Sequence, residues 1–108
     1  MMKMRLLILL IIFFLFQKEY FFKPSAIVSY SAGSFGGVRA AIHLRAFLAE
    51  LGMSSIPSTF PISKVQDSFN EKGVAIDKAY DKRVKRFLDE LEWYTLALKK
   101  ARKKSVPY

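Results

Sequence analysis

The sequence predicts an α/β fold, and within that class the last part of a larger open parallel sheet. Three observations predict it. A short β-branched apolar run, Ala26-Ile27-Val28-Ser29-Tyr30, ends in small residues. Residues 38–51 then carry apolar side chains at three- and four-residue spacing, and a second short apolar run occupies residues 53–56, just past a glycine. Strand, helix and strand joined by short connections read as two parallel strands with a crossover helix. Two parallel strands alone would be nearly all edge, and parallel sheets bury both faces, so residues from 24 onward read as part of a larger sheet.

Each element has a local reason. Pro24 breaks whatever precedes it, and residues 26–30 form the first strand. Residues 31–37, Ser-Ala-Gly-Ser-Phe-Gly-Gly, form a bend. Val38, Ala41, Ile42, Leu44, Leu48 and Leu51 give the following helix a broad apolar face, with Arg39, His43 and Glu50 largely off it. Gly52 suits the position just past a helix end, where the backbone turns left-handed. The second strand spans residues 53–56 and is closed by Pro57. Residues 58–76 contain Pro61, Asn70 and Gly73 without a sustained period, which predicts a loop with one helical turn near residues 65–69. Asp77 reads as an N-cap, and Val84, Phe87, Leu88, Leu91, Tyr94, Thr95 and Leu98 predict a long helix from 77 to about 103.

Residues 1–23 are a different kind of sequence. Lys3 and Arg5 precede an unbroken apolar run from Leu6 to Phe16. As a helix those residues span about 16 Å, well short of the roughly 30 Å hydrocarbon core of a bilayer. A basic start and short apolar core fit a signal-peptide pattern, but the bulky, charged FQKEYFFKP that follows offers no small-residue cleavage site. Three readings stay open: an uncleaved anchor or signal, a buried core segment, or a segment foreign to the downstream domain. The domain expectation is a hydrophobic leader at 1–23, a partial α/β domain at 24–104 and a short tail at 105–108.

Composition bounds the chemistry. The chain has 108 residues, no cysteine and one histidine. Disulfides, thiol nucleophiles, cysteine-zinc sites and multi-histidine metal clusters are therefore excluded. The net charge of +9 sits mostly at the ends, +3 over residues 1–23 and +5 over residues 99–104, and leaves the middle near neutral. A nucleic-acid binder more often spreads its basic stripe over the folded body, so no nucleic-acid partner is expected. The C-terminal lysines and arginine suit a solvated helix end.

Residues 31–37 carry the available chemistry. They lie after a strand's carboxyl end and before a helix start, where open α/β proteins bind ligands. Backbone N–H groups and the helix dipole favour anions or polar ring edges there, and Gly33, Gly36 and Gly37 permit close approach. The pattern is neither a dinucleotide fingerprint nor a Walker loop, so composition alone leaves a ligand loop and an ordinary turn both open. Ser31 or Ser34 as a nucleophile would need a base, and only His43 exists, which reads as a helix-surface residue. Asp89, Glu90 and Glu92 read as a solvated helix face, and Trp93 and Tyr94 as packing.

At AIVSYSAGSFGGVRAAIHLRAFLAELGM and IPSTFPISKVQDSF the sequence resembles the NAD(P)H-dependent FMN reductase family, of flavodoxin-like fold. The resemblance runs from about residue 24 to residue 102, and its most specific pieces are SYSAGSFGGVRA, PSTFPIS and YDKRVKRFLDEL. It implies a five-stranded parallel sheet, of which this chain carries the fourth strand and helix and the fifth strand and helix. It implies FMN as cofactor and NAD(P)H as co-substrate, with hydride passing to the flavin and on to an acceptor. Ser31, Ala32, Gly33, Ser34, Phe35 and Gly36 are the positions that would line the flavin ring; no catalytic side chain and no metal is implied. The family's first half, with the loop that grips the FMN phosphate, has no counterpart in these 108 residues. The chain is therefore expected to be a truncated oxidoreductase, inactive alone, that dimerises, is completed by another chain or folds poorly. A cytoplasmic domain is implied; a membrane-associated or secretory location, with membrane contact through residues 6–16 and a non-enzymatic scaffold role, is the alternative.

Overall fold

A computed structural model describes residues 17–108. The apolar run from Leu6 to Phe16, and with it the leader's predicted character, lies outside the described residues. Among the described residues no helix is long and apolar enough to cross a membrane. The chain enters through a 3-10 turn at Gln17–Tyr20, then forms strand β1 (Pro24–Tyr30), helix α1 (Val38–Glu50), strand β2 (Ser54–Ile62), a short helix α2 (Val65–Ser68) and helix α3 (Ala79–Lys104). β1 and β2 pair in parallel, and both α1 and α3 pack on them. The chain is thus a mixed α/β fold on a two-stranded parallel sheet, with α1 as the crossover.

Burial follows strand alternation. In β1, Ser25 and Ile27 are buried on one face, while Ala26 packs on the other against Ile56, Phe60 and Phe87. Tyr80, Val84, Leu91 and Tyr94 of α3 close over that cluster. On α1 only Ala41 is buried and Leu51 follows it at the C-cap; Ile42, expected on the apolar face, is 62% exposed, and Val38 and Leu44 are also open to solvent. The helix forms where expected, but the two-stranded sheet covers only part of its predicted apolar face.

The helix end at Gly52 is as predicted. Gly52 has φ +88°, its N–H donates to the Ala49 carbonyl, and the Met53 N–H donates to Leu48, which is the paired-bond arrangement of a Schellman cap. Phe21 lies against the bare Cα of Gly52, and Phe22 N–H donates to the Gly52 carbonyl at 3.0 Å. Arg102 donates to the Phe22 carbonyl at 2.8 Å, so both the second strand's entry and the last helix fasten the chain leading into β1.

The second strand departs from expectation. Pro57 does not close it; β2 runs to Ile62 and contains both Pro57 and Pro61. Ser25 pairs with Ser55 but Ile27 pairs with Thr59, so β2 bulges between them, around Pro57. A proline, lacking an N–H, is tolerated on an edge strand at such a bulge. Arg45 of α1 donates to the carbonyls of Ile56 and Pro57 at 3.0 and 3.2 Å, which satisfies the backbone acceptors that the bulge takes out of the ladder. Asp77 sits one residue outside the helix's N-cap, Lys78, and its carboxylate accepts the Ala79 N–H at 2.9 Å. The predicted turn near residues 65–69 is α2, and the rest of the loop is pinned by an antiparallel bridge between Phe69 and Ala75.

Replacing Gly52 tests this packing. A Cβ there would meet the Phe21 ring at 2.5 Å in a left-handed backbone, so Gly52→Ala should lower the unfolding free energy by about 1–3 kcal/mol. Urea denaturation of the two proteins measures it.

Candidate functional site

The bend predicted at residues 31–37 forms at the carboxyl end of β1, where parallel sheets place their ligands. Two of its glycines have a packing reason. Gly36 and Gly37 have φ +63° and +77°. A Cβ on Gly36 would meet Pro61 Cβ at 3.0 Å and the Ile62 backbone at 3.1 Å; one on Gly37 would meet the Tyr30 carbonyl at 3.0 Å. The pair therefore lays the loop on the ends of both strands. Gly33 differs: its φ is not left-handed, and a Cβ there would meet nothing within 4 Å. Of the three glycines, Gly33 faces open space, and Phe35 beside it is 85% exposed.

A second loop, residues 63–66 after β2, holds the first. Lys64 N–H donates to Gly33 O at 2.8 Å, Val65 N–H to Ser31 O at 3.0 Å, and Gln66 Nε2 to Ala32 O at 3.2 Å. Ser31 N–H closes the joint by donating to Ile62 O at 3.1 Å. Lys64 pays for its reach with a left-handed backbone, φ 44° and ψ 54°, which for a lysine is a strained state of the kind concentrated at functional sites. Nothing in the sequence pattern marked Lys64 or Gln66 as part of this site; the motif PSTFPIS ends one residue short of them.

The bonding is one-sided. The carbonyls of Ser31, Ala32 and Gly33 are taken by the second loop and by Ser31 Oγ. Phe35 O accepts from Val38, Gly36 O from Ser29 Oγ at 2.7 Å, and Gly37 O from Ala41. By contrast, among the described residues the N–H groups of residues 32–37 donate to no protein acceptor. Helix α1 then starts at Gly37 with no side-chain cap, so its first N–H groups add to the same donor-rich end. Apart from the Ser34 carbonyl the loop's acceptors are taken, while its exposed N–H groups find no acceptor among the described residues, which favours ligands that present acceptors. His43 and the acidic residues Asp89 and Glu92 lie exposed on the helices.

With that geometry in hand, comparison with known proteins is decisive at one level. The sequence model of the family described as NADPH-dependent FMN reductase matches residues 6–67, more than half of the chain. The chain belongs to the NADPH-dependent FMN reductase family. The match covers β1, the 31–37 loop, α1, β2 and the loop at 63–66, and it begins inside the apolar run, at Leu6. No curated protein and no solved structure matches the chain. At family level the reductase carries FMN and uses NADPH.

The two kinds of glycine should separate under mutation. Gly33→Ala should change stability by no more than about 0.5 kcal/mol, as at an unconstrained surface position. Gly36→Ala should cost about 1–3 kcal/mol, from the left-handed backbone and the contact with β2. Thermal or urea unfolding of both variants checks the contrast.

Proposed function

We propose that this chain carries the C-terminal part of a flavodoxin-like FMN reductase domain, and that Ser31, Ala32, Gly33, Ser34, Phe35 and Gly36 line the polar edge of the flavin ring. The observation that carries the reading is the row of exposed N–H groups at residues 32–35, which find no acceptor among the described residues, beside the open face of Gly33. The pyrimidine edge of a flavin presents carbonyl oxygens and ring nitrogen, which is the acceptor-rich partner such a row needs. Family membership supplies the flavin as the ligand to try.

When bound, the flavin supplies the redox chemistry, taking hydride from a reduced nicotinamide and passing electrons to an acceptor. The residues of this chain orient and tune it. Donors aimed at the ring's carbonyl edge stabilise negative charge that gathers there on reduction. The second loop keeps those donors in place before the flavin arrives, which lowers the ordering cost of binding. Phe35 offers an aromatic surface beside them.

On this reading these residues match the family's second half and not its phosphate-gripping loop, and their hold on FMN is through the ring edge. Weak binding and little or no reductase activity by this chain alone follow from that reading, with dimerisation or a completing chain as the route to a full site.

Titrating FMN into isotope-labelled full chain and following backbone amides tests the reading. Shifts concentrated at residues 31–36, with Gly33→Val weakening the response several-fold while leaving the unfolding transition in place, are expected. Shifts scattered over the surface, or an unchanged response in Gly33→Val, would sink it.

A further inference from the structure

A second cleft lies between β2 and the first turns of α3. It encloses about 260 Å³ and is lined by Ser58, Thr59 and Phe60 from the strand and Arg83, Arg86 and Phe87 from the helix. Its floor is apolar: Phe60 and Phe87 are buried, with ring centroids 5.6 Å apart. Its rim carries two guanidinium groups. The arginines stand three residues apart and so share one side of the helix.

Arg83 is held in place. Its guanidinium carbon lies 5.2 Å from the Phe60 ring centroid and 5.1 Å from that of Tyr80, and one nitrogen lies 3.5 Å from the Pro61 carbonyl. Arg86 makes no hydrogen bond or ion pair among the described residues. Among the described residues neither arginine forms an ion pair, although Glu90 stands one turn beyond Arg86; the ion pair recorded on α3 joins Lys85 to Asp89, at 2.6 Å.

We infer that this cleft binds the dianionic phosphate of a phosphomonoester. Two guanidinium groups carry two positive charges, which a phosphate dianion matches and a carboxylate leaves half unmatched. The planar guanidinium fork suits phosphate oxygens in bidentate fashion. Arg83 is already stacked, so less side-chain freedom is lost on binding. The cleft shares no residue with the flavin loop, so either can fail while the other stands.

Titration of the labelled full chain with inorganic phosphate, against chloride at equal ionic strength, tests the assignment. Saturable shifts at Ser58, Thr59, Arg83 and Arg86 are expected, with affinity falling at least tenfold in Arg83→Gln/Arg86→Gln. Arg86→Gln alone and Arg83→Lys, which keeps the charge but loses the fork, serve as milder variants in case the double change unfolds the protein; each should weaken phosphate several-fold. FMN against riboflavin, and NADP⁺ against NAD⁺, then identify the carrier. A phosphate-dependent advantage that disappears in Arg86→Gln marks that nucleotide, and no advantage for either marks free phosphate as the ligand. Equal shifts from chloride and phosphate, or affinity unchanged in every arginine variant, would overturn the inference.

Discussion

The carboxyl end of this sheet depends on how closely the backbone at Gly36 and Gly37 lies against the two strands. Both residues are left-handed, and each would collide with backbone or proline atoms if it carried a Cβ. That close approach brings the 31–37 loop within reach of the loop after β2, whose N–H groups and Gln66 amide then take the carbonyls of residues 31–33. With most of the loop's acceptors consumed, the exposed N–H groups of residues 32–35, which find no acceptor among the described residues, dominate the open side. The chemical character of the site is thus a consequence of backbone packing, and no ionisable side chain is needed to create it.

The same logic explains why a small sheet can present such an end at all. β1 and β2 are joined at the bottom by Phe22 N–H on Gly52 O and at the top by Ser31 N–H on Ile62 O, with Arg45 closing the bulge between. Each junction satisfies backbone groups that a two-stranded ladder cannot satisfy itself. What the sheet lacks is width. Ile42 on α1, and Val28 and Tyr30 on β1, are large apolar side chains with more than half their surface open to solvent. A chain of the NADPH-dependent FMN reductase family with these faces uncovered fits the proposal that they meet further protein in a complete domain.

Much of this was legible in the sequence because single residues carry strong local rules. Gly52 stops α1 as a left-handed cap must, and the β-branched apolar run from Ala26 to Tyr30 places β1. The bend at 31–37 and its place at the carboxyl end of β1 follow from strand and helix order. β2 was misjudged because Pro57 normally ends a strand; the structure keeps it by bulging and by lending Arg45 from another element, a contact eleven residues away that no local pattern encodes. The three loop glycines looked alike in sequence. Only the neighbours of each Cα separate Gly36 and Gly37, which serve packing, from Gly33, which opens outward. The second loop was missed for a similar reason: Lys64 is a residue type that rarely adopts a left-handed backbone, so its role shows only in its φ angle and its bond to Gly33.

The central claim is that the 31–37 loop is a fixed frame presenting unspent donors. Amide hydrogen exchange, residue by residue, tests it most directly. The account predicts slowed exchange at Ser31, Lys64 and Val65, fast exchange at residues 32–36 in the free chain, and slowing of those same amides when FMN is added. Uniformly fast exchange at Ser31, Lys64 and Val65, or protection of residues 32–36 without any ligand, would contradict it.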